Sequence, residues 1–386
     1  MVWNLDWNLI SIVSFYVIIF TLIFIFRSKL EIQSKILFLF KTKRFNRLLE
    51  RVAALNPKIW RALGLFGIFV GFVGMFLIFG YLGYALVKTF LEPSLPPTVS
   101  LVLPGIRVPG SSVFIPFWYG IIALFVVIVV HEGMHGIISE AFKIKVKSSG
   151  FGLLAVLPIA FVEPDESKLS KSSTRAQLSI FSAGALGNVL AAGFFLLFAF
   201  GLAPIVNSTI EPQGLYIDSV TTGLPAAEAG LKPGMIITEL NDENVTKAEN
   251  FVAKMAAVKP GDIIKVRANN QTYQIKTIEN PTNKSKAYIG IYFKQNVGLK
   301  SAVAKFGLLA WLPWHLLNLF YWIFTLNLGI GIINLLPLGP IDGGRMANLV
   351  IARAVANKNK AKMLSTFITT LSLILLIGNI VGPLLR

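Results

Sequence analysis

The sequence predicts a polytopic α-helical membrane protein of about six transmembrane helices, with a re-entrant β-hairpin and an inserted α+β domain. Three observations predict it. Of 386 residues, 54% are hydrophobic and only 14% charged, against about 25% charged in an ordinary soluble chain. Several apolar runs reach the roughly 20 residues that a helix needs to cross a bilayer. One long polar stretch, 205–297, interrupts them.

Apolar run length places the spans at 7–26, 63–90, 113–138, 177–203, 304–335 and 364–383. The first follows the acidic start "MVWNLDWN" and ends at "FRSKLE". It lacks the basic region and small-residue cleavage site of a signal peptide, so it reads as a retained span with its N-terminus outside. In the second, Gly64, Gly67, Gly71, Gly74, Gly80 and Gly83 recur at helical spacing, as on a helix-packing face. The formal net charge is +17, but its distribution speaks against nucleic acid, and no nucleic-acid motif accompanies it. Ten Lys/Arg fall in 27–61, six in 139–177 and five in 343–363, while 91–115 holds only Arg107. Basic residues clustered in alternate loops put those loops in the cytoplasm, both termini and the polar domain outside, and suit anionic lipid headgroups.

Two segments depart from the helical pattern. Residues 148–163, "SSGFGLLAVLPIAFVE", are apolar but too short to span, with paired glycines and a proline. They read as a re-entrant hairpin or a structural plug. An exposed strand edge at membrane depth needs protein or a cavity to cover it. The polar stretch alternates apolar and polar residues in short runs such as "GLYIDSV" and "DIIKVRA", with helix-like "KAENFVAKMAAV" between them. The domain boundaries follow: an N-terminal two-span region at 1–112, membrane core at 113–203 and 299–386, and the inserted domain at 204–298. The string "GLPAAEAGLKPGMIITELNDENV" resembles the circularly permuted, protease-associated PDZ domain. That resemblance implies a peptide-carboxylate loop at Gly214, Leu215, Tyr216 and Ile217 beside an edge strand, or else a closed groove that only blocks access.

The chemistry concentrates in "VVIVVHEGMHGIISEAF", residues 126–142. His131 and His135 are four apart, so on a helix they share a face and can share a metal ion, while Glu132 is free to polarise water held there. Ionisable groups at membrane depth cost on the order of 3 kcal/mol, and a zinc ion supplies a reason for them. The bland alternative is a histidine pair satisfied by backbone groups at the membrane edge. With no cysteine in the chain, any zinc site uses His and carboxylate ligands. The third histidine, His315, sits in "AWLPWHLL", an aromatic belt at the opposite membrane face. Asp342, in "NLLPLGPIDGGR", is the better third ligand, because Pro337, Gly339 and Pro340 break the helix there. A helix N-cap is a compatible role for it.

His131-Glu132-x-x-His135 on one span and Asn334-x-x-Pro337-x-x-x-x-Asp342-Gly343 on a later one resemble the site-2 protease family of intramembrane zinc metalloproteases. "PIAFVEPDE", "FSAGALGN" and a PDZ insertion between those spans add to the resemblance, which covers roughly 113–386. It implies one catalytic Zn2+ held by His131, His135 and Asp342, and Glu132 as general base. It also implies support from Asn334 at the substrate or oxyanion, from Asn188 in the core, and a small-residue packing site at Gly184. Residues 150–162, with Gly150, Phe151, Gly152, Leu153 and Phe161, correspond to a hairpin that pairs with an unwound substrate. The implied partners are transmembrane protein substrates and membrane lipid. A non-catalytic scaffold with a structural metal and a peptide-binding PDZ module is the alternative, and it would not need Glu132. A transporter would show inverted repeats, and the two halves of the chain are not similar.

Overall fold

In the computed structural model, residues 7–33, 37–91, 99, 102–106, 108, 113–154, 157–281 and 283–382 are described. Two compact units emerge: Met1–Ala199 with Asn318–Arg386, and Phe200–Leu317. Among the described residues, six helices are long and apolar enough to cross a membrane.

The first unit opens with α1 (Trp7–Ile25), followed by the short strands β1 (Glu31–Gln33) and β2 (Leu37–Lys41). These strands fall where the sequence suggested only a basic loop. The short apolar run in "KILFLFK" is strand-like, but lysines at both ends hid it within the charge cluster. Helix α2 (Lys43–Leu55) starts at Thr42, whose hydroxyl accepts from the Arg44 N–H, and buries Leu49 and Ala53. Helix α3 (Pro57–Leu91) begins six residues before the expected span, since Pro57 suits a first helical position.

Four of the six α3 glycines do pack. A side-chain carbon at Gly64 would touch Ile138 and Ser179, at Gly67 Ser182 and Leu186, at Gly71 Met346, and at Gly74 Leu335. Gly80 and Gly83 meet nothing within 4 Å. The second span therefore buttresses the chemistry-bearing helices over its first half only.

Helix α4 (Phe117–Ala141) carries the two histidines and ends where the Arg61 Nε donates to the Ala141 carbonyl at 2.6 Å. Strands β3 (Val146–Leu154) and β4 (Leu157–Pro164) form the expected hairpin. It is half of a four-stranded antiparallel sheet in the order β1-β2-β3-β4. Both edges of β3 are thus paired, and β4 is the terminal strand. Gly150 and Gly152 exist for this pairing: a Cβ at either would run into the Phe40 or Phe38 carbonyl of β2. The sheet lies on α4, with Val162 over Gly136 and the Phe151 ring stacked on Phe125 at 5.8 Å.

Short α5 (Glu166–Leu169) is capped by Asp165, which also pairs with Lys147 at 3.0 Å. The expected span at 177–203 is two helices, α6 (Thr174–Phe181) and α7 (Ala183–Thr209), broken at Ser182.

The second unit holds the inserted module. Its strands are β5 (Ile210–Val220), β6 (Ile236–Leu240), β7 (Glu243–Asn244), β8 (Ile263–Ala268), β9 (Gln271–Lys276), β10 (Ile278–Asn280), β11 (Asn283–Tyr288) and β12 (Ile291–Leu299). Helices α8 (Pro225–Glu228) and α9 (Ala248–Ala257) lie between them, and α10 (Ser301–Ala304) follows. The main sheet runs β12-β5-β6-β8-β9, with β7 on β6. Strict alternation in β8 buries Ile264, Val266 and Ala268 against Leu215, Ile217 and Phe251.

This topology corrects one expectation. Gly214–Ile217 is no loop beside an open edge. It lies inside β5, paired with β12 on one side and β6 on the other, and Leu215 and Ile217 are fully buried. Gly214 takes φ +100°, and its N–H and carbonyl are bonded to Thr246 and the Gln295 amide. The terminal strands of the sheet are β9 and β12, and on β12 the Phe293 ring meets Phe251 of α9 at 5.1 Å. The apolar alternation of "GLYIDSV" is common to edge and central strands, and only pairing tells them apart.

Returning to the first unit, α11 (Leu312–Ile333) is shorter than the expected 304–335, because Gly307 (φ +56°) and Pro313 break its start. Helices α12 (Asp342–Ala354) and α13 (Lys358–Val381) complete the chain, α13 starting at the Asn357 cap.

Candidate metal centre

On α4 the i,i+4 spacing stacks the two imidazoles, with ring centroids 4.9 Å apart and planes at 72°. Their Nε2 atoms are 3.3 Å from each other. Each is 3.2 Å from Asp342 Oδ2. These are the one group of three His, Cys, Asp or Glu side chains among the described residues placed to hold a metal ion. Asp342 Oδ2 is buried yet receives no hydrogen bond, a costly state for a carboxylate unless a cation answers it. Ligands about 2.0–2.1 Å from a tetrahedral zinc lie roughly 3.3 Å apart. The triangle observed has that edge, so the donor set fits zinc with one position left over.

The chain break delivers Asp342. Helix α11 stops at Ile333, and residues 334–341 turn through Pro337 and Pro340 before α12 begins at Asp342 itself. Residue 341 is the N-cap and no side chain caps the helix, so Asp342 is not spent on capping. Gly343 and Gly344 let α12 seat on the backbone of 335–339, where any Cβ would strike the Leu335 or Leu338 carbonyl. Asn334 holds this geometry through its backbone: its carbonyl accepts from the Gly343 N–H at 2.8 Å. Asn334 also lines a cavity of about 690 Å³ with Leu124, Trp322 and Ile330.

The outer contacts of both imidazoles suit metal ligation through Nε2. His135 Nδ1 lies 2.7 Å from the Ile180 carbonyl, which accepts its proton. His131 Nδ1 lies 3.2 Å from the Asn188 amide, whose Oδ1 has no partner. With Nε2 given to a metal, Nδ1 carries the hydrogen, and turning the amide brings that oxygen to accept it. Asn188 is thus placed where it could fix the tautomer of His131.

Gly184 is the sharpest constraint. A Cβ there would contact His135 Nε2 and lie 2.5 Å from His131 Nε2. The first turn of α7 passes against the two metal-facing atoms, and only hydrogen fits between. Glu132 points off this face, and its Oε2 accepts the Val162 N–H of β4 at 3.1 Å.

Six of the predicted residues converge here: His131, Glu132, His135, Asp342, Asn188 and Gly184. Phe161 lies in β4, while Gly150, Phe151, Gly152 and Leu153 lie in the inner strand β3. His315 occupies the first turn of α11, 18 residues and so about 27 Å along the helix from its other end. Sequence reasoning missed the Ile180 carbonyl and the Val162 amide, since backbone atoms leave no side-chain signature.

The sequence pattern of peptidase family M50 matches residues 119–377. An uncharacterised protein of Methanocaldococcus jannaschii is 31% identical over 308 residues, 78% of this chain and 75% of that protein. Two solved structures are similar to part of the chain. The PDZ domain of the SdrC-like protein of Listeria monocytogenes is 28% identical, covering 21% of this chain and 87% of that one, with TM-score 0.19. The PDZ domain of the SdrC-like protein of Listeria innocua is 26% identical, covering 22% and 97%, also with TM-score 0.19.

Proposed function

The chain belongs to peptidase family M50, and from that premise we propose that it is a zinc-dependent intramembrane endopeptidase. It hydrolyses peptide bonds within or near transmembrane segments of other membrane proteins. The observation that carries this reading is the triangle of half-buried His131 with buried His135 and Asp342, and Glu132 beside it.

His131, His135 and Asp342 would hold the zinc ion, with the Ile180 carbonyl and Asn188 fixing the imidazoles. When bound, the ion supplies Lewis acidity toward a water molecule and the peptide carbonyl. Glu132 accepts the proton as the water attacks and returns it to the amine that leaves when the C–N bond breaks. Gly184 keeps the approach to the imidazoles clear. A helical substrate shields its peptide bonds with its own hydrogen bonds, so it must unwind locally, and β4 offers a strand edge to hold it extended.

The Lys/Arg clusters in alternate loops support a topology with the histidine end of α4 toward the cytoplasm and the inserted module outside. We read that PDZ-like module as the part that screens substrates.

The test is incubation of the purified full chain in liposomes with a model single-span substrate. Cleavage that stops on zinc chelation and returns with added zinc is expected. Cleavage indifferent to chelation, or none in zinc-loaded protein, would overturn the reading.

A further inference from the structure

Three features of β4 fix how much of its edge is usable. Ser149 turns its backbone toward β2, its carbonyl accepting from Thr42 N–H at 2.9 Å. Its partner across the β3–β4 ladder is Val162, so Val162 turns away from β3, and its N–H goes to Glu132 Oε2. Backbone direction alternates along a strand. Pro158, Ala160, Val162 and Pro164 therefore present their backbone groups to the outer edge. Ile159 and Phe161, opposite Gly152 and Gly150, present theirs to β3. Pro158 and Pro164 have no N–H to give, and that of Val162 is engaged. In the outward register of β4, the one amide hydrogen left for a ligand is that of Ala160.

Resting on the peptidase reading above, we propose that an extended substrate segment adds antiparallel to β4 with Ala160 as its one N–H donor, and that this fixes which bond is cut. The substrate residue opposite Ala160 exchanges both backbone hydrogen bonds with it. In a continuing ladder, the residue two positions nearer the substrate N-terminus would give its carbonyl to the Val162 N–H. Glu132 already occupies that amide. The series of N–H donors stops there, and the carbonyl left without its donor lies beside the general base. The bond cut is the one on the C-terminal side of that carbonyl. Register is read from backbone atoms, so the enzyme needs only a few unwound residues and tolerates varied side chains around the cut.

Proline at 160 tests this cleanly, because the alternate positions 158 and 164 already carry proline and the 160 N–H makes no bond to β3. Proline at Phe161 would not serve, since it would break the β3–β4 ladder itself. Full-length wild type and Ala160→Pro are compared in liposomes for zinc content, KM, kcat and cut site by mass spectrometry of a single-span substrate. Zinc content should be unchanged, KM should rise about tenfold for the lost backbone bond, and cuts should spread over neighbouring bonds. A second variant replaces the Ala160 amide with an ester, which deletes the N–H, keeps the side chain and only weakens the Ile159 carbonyl as an acceptor, and should behave alike. That variant decides the matter if proline disturbs folding. Wild-type KM with a single unchanged cut site in the ester variant would overturn the register proposal. A wild type that cleaves nothing would instead remove the peptidase reading beneath it.

Discussion

Gly184→Ala adds one methyl group at the most confined point of the molecule. Its carbon would lie 2.5 Å from His131 Nε2, where ordinary contact begins at 3.4 Å. The difference, 3.4 minus 2.5, means that about 0.9 Å of movement is required, whereas metal coordination tolerates only about 0.2 Å. Helix α7 cannot retreat to supply it. Ala183 and Ala185 are fully buried, and on the faces turned from the histidines Leu186 and Asn188 lie so close to Gly67 of α3 and Gly331 of α11 that not even a methyl group would fit between. The imidazoles must yield, so zinc affinity should fall at least about 100-fold, close to 2.8 kcal/mol. Overpacking should cost a further 1–3 kcal/mol or so of stability. Competition with a chromophoric chelator reads the affinity, and Gly193→Ala on the same helix, where nothing lies within 4 Å, is the control. Wild-type affinity in Gly184→Ala would refute the argument that the start of α7 sets the positions of the two imidazole nitrogens proposed to hold the metal.

Asn188→Ala should weaken zinc by about 10- to 100-fold through loss of the His131 Nδ1 partner, while Asn188→Asp, which keeps an acceptor, should hold it; the same chelator competition separates them. Asp342→Asn should lower metal stoichiometry sharply and His315→Ala should leave both metal and cleavage unchanged, by elemental analysis beside an activity assay. Gly74→Ala should destabilise by about 1–3 kcal/mol because its new carbon meets Leu335. Gly80→Ala, in open space, should be neutral or better, as followed by thermal unfolding in detergent.

The chain announced its spans through apolar length and its candidate metal ligands through spacing, because both signals are carried by side-chain type. The histidine pair is legible since a helix converts a separation of four into one shared face. Asp342 is legible since two prolines and paired glycines force a break beside it. What escaped is set by pairing in three dimensions. Strands β1 and β2 lay hidden in a basic cluster, and the pairing of β2 with β3 makes β4 the one strand of the hairpin with an open edge. Gly214–Ile217 has the apolar alternation of any strand, and its internal position follows from β12 returning to pair with β5 across some eighty residues. Gly184 stood out as a small residue, but that its lack of a side chain makes room at the imidazoles is visible only once α7 is docked.

The account stands on Glu132 acting as a base beside a metal that three other residues hold. Glu132→Gln keeps the size of the side chain and removes the ability to take a proton. The most direct measurement is zinc stoichiometry and substrate cleavage on the same preparation of this variant and of wild type. The account predicts one zinc per chain in both, with cleavage in wild type alone. Cleavage persisting in Glu132→Gln at full zinc content would contradict it.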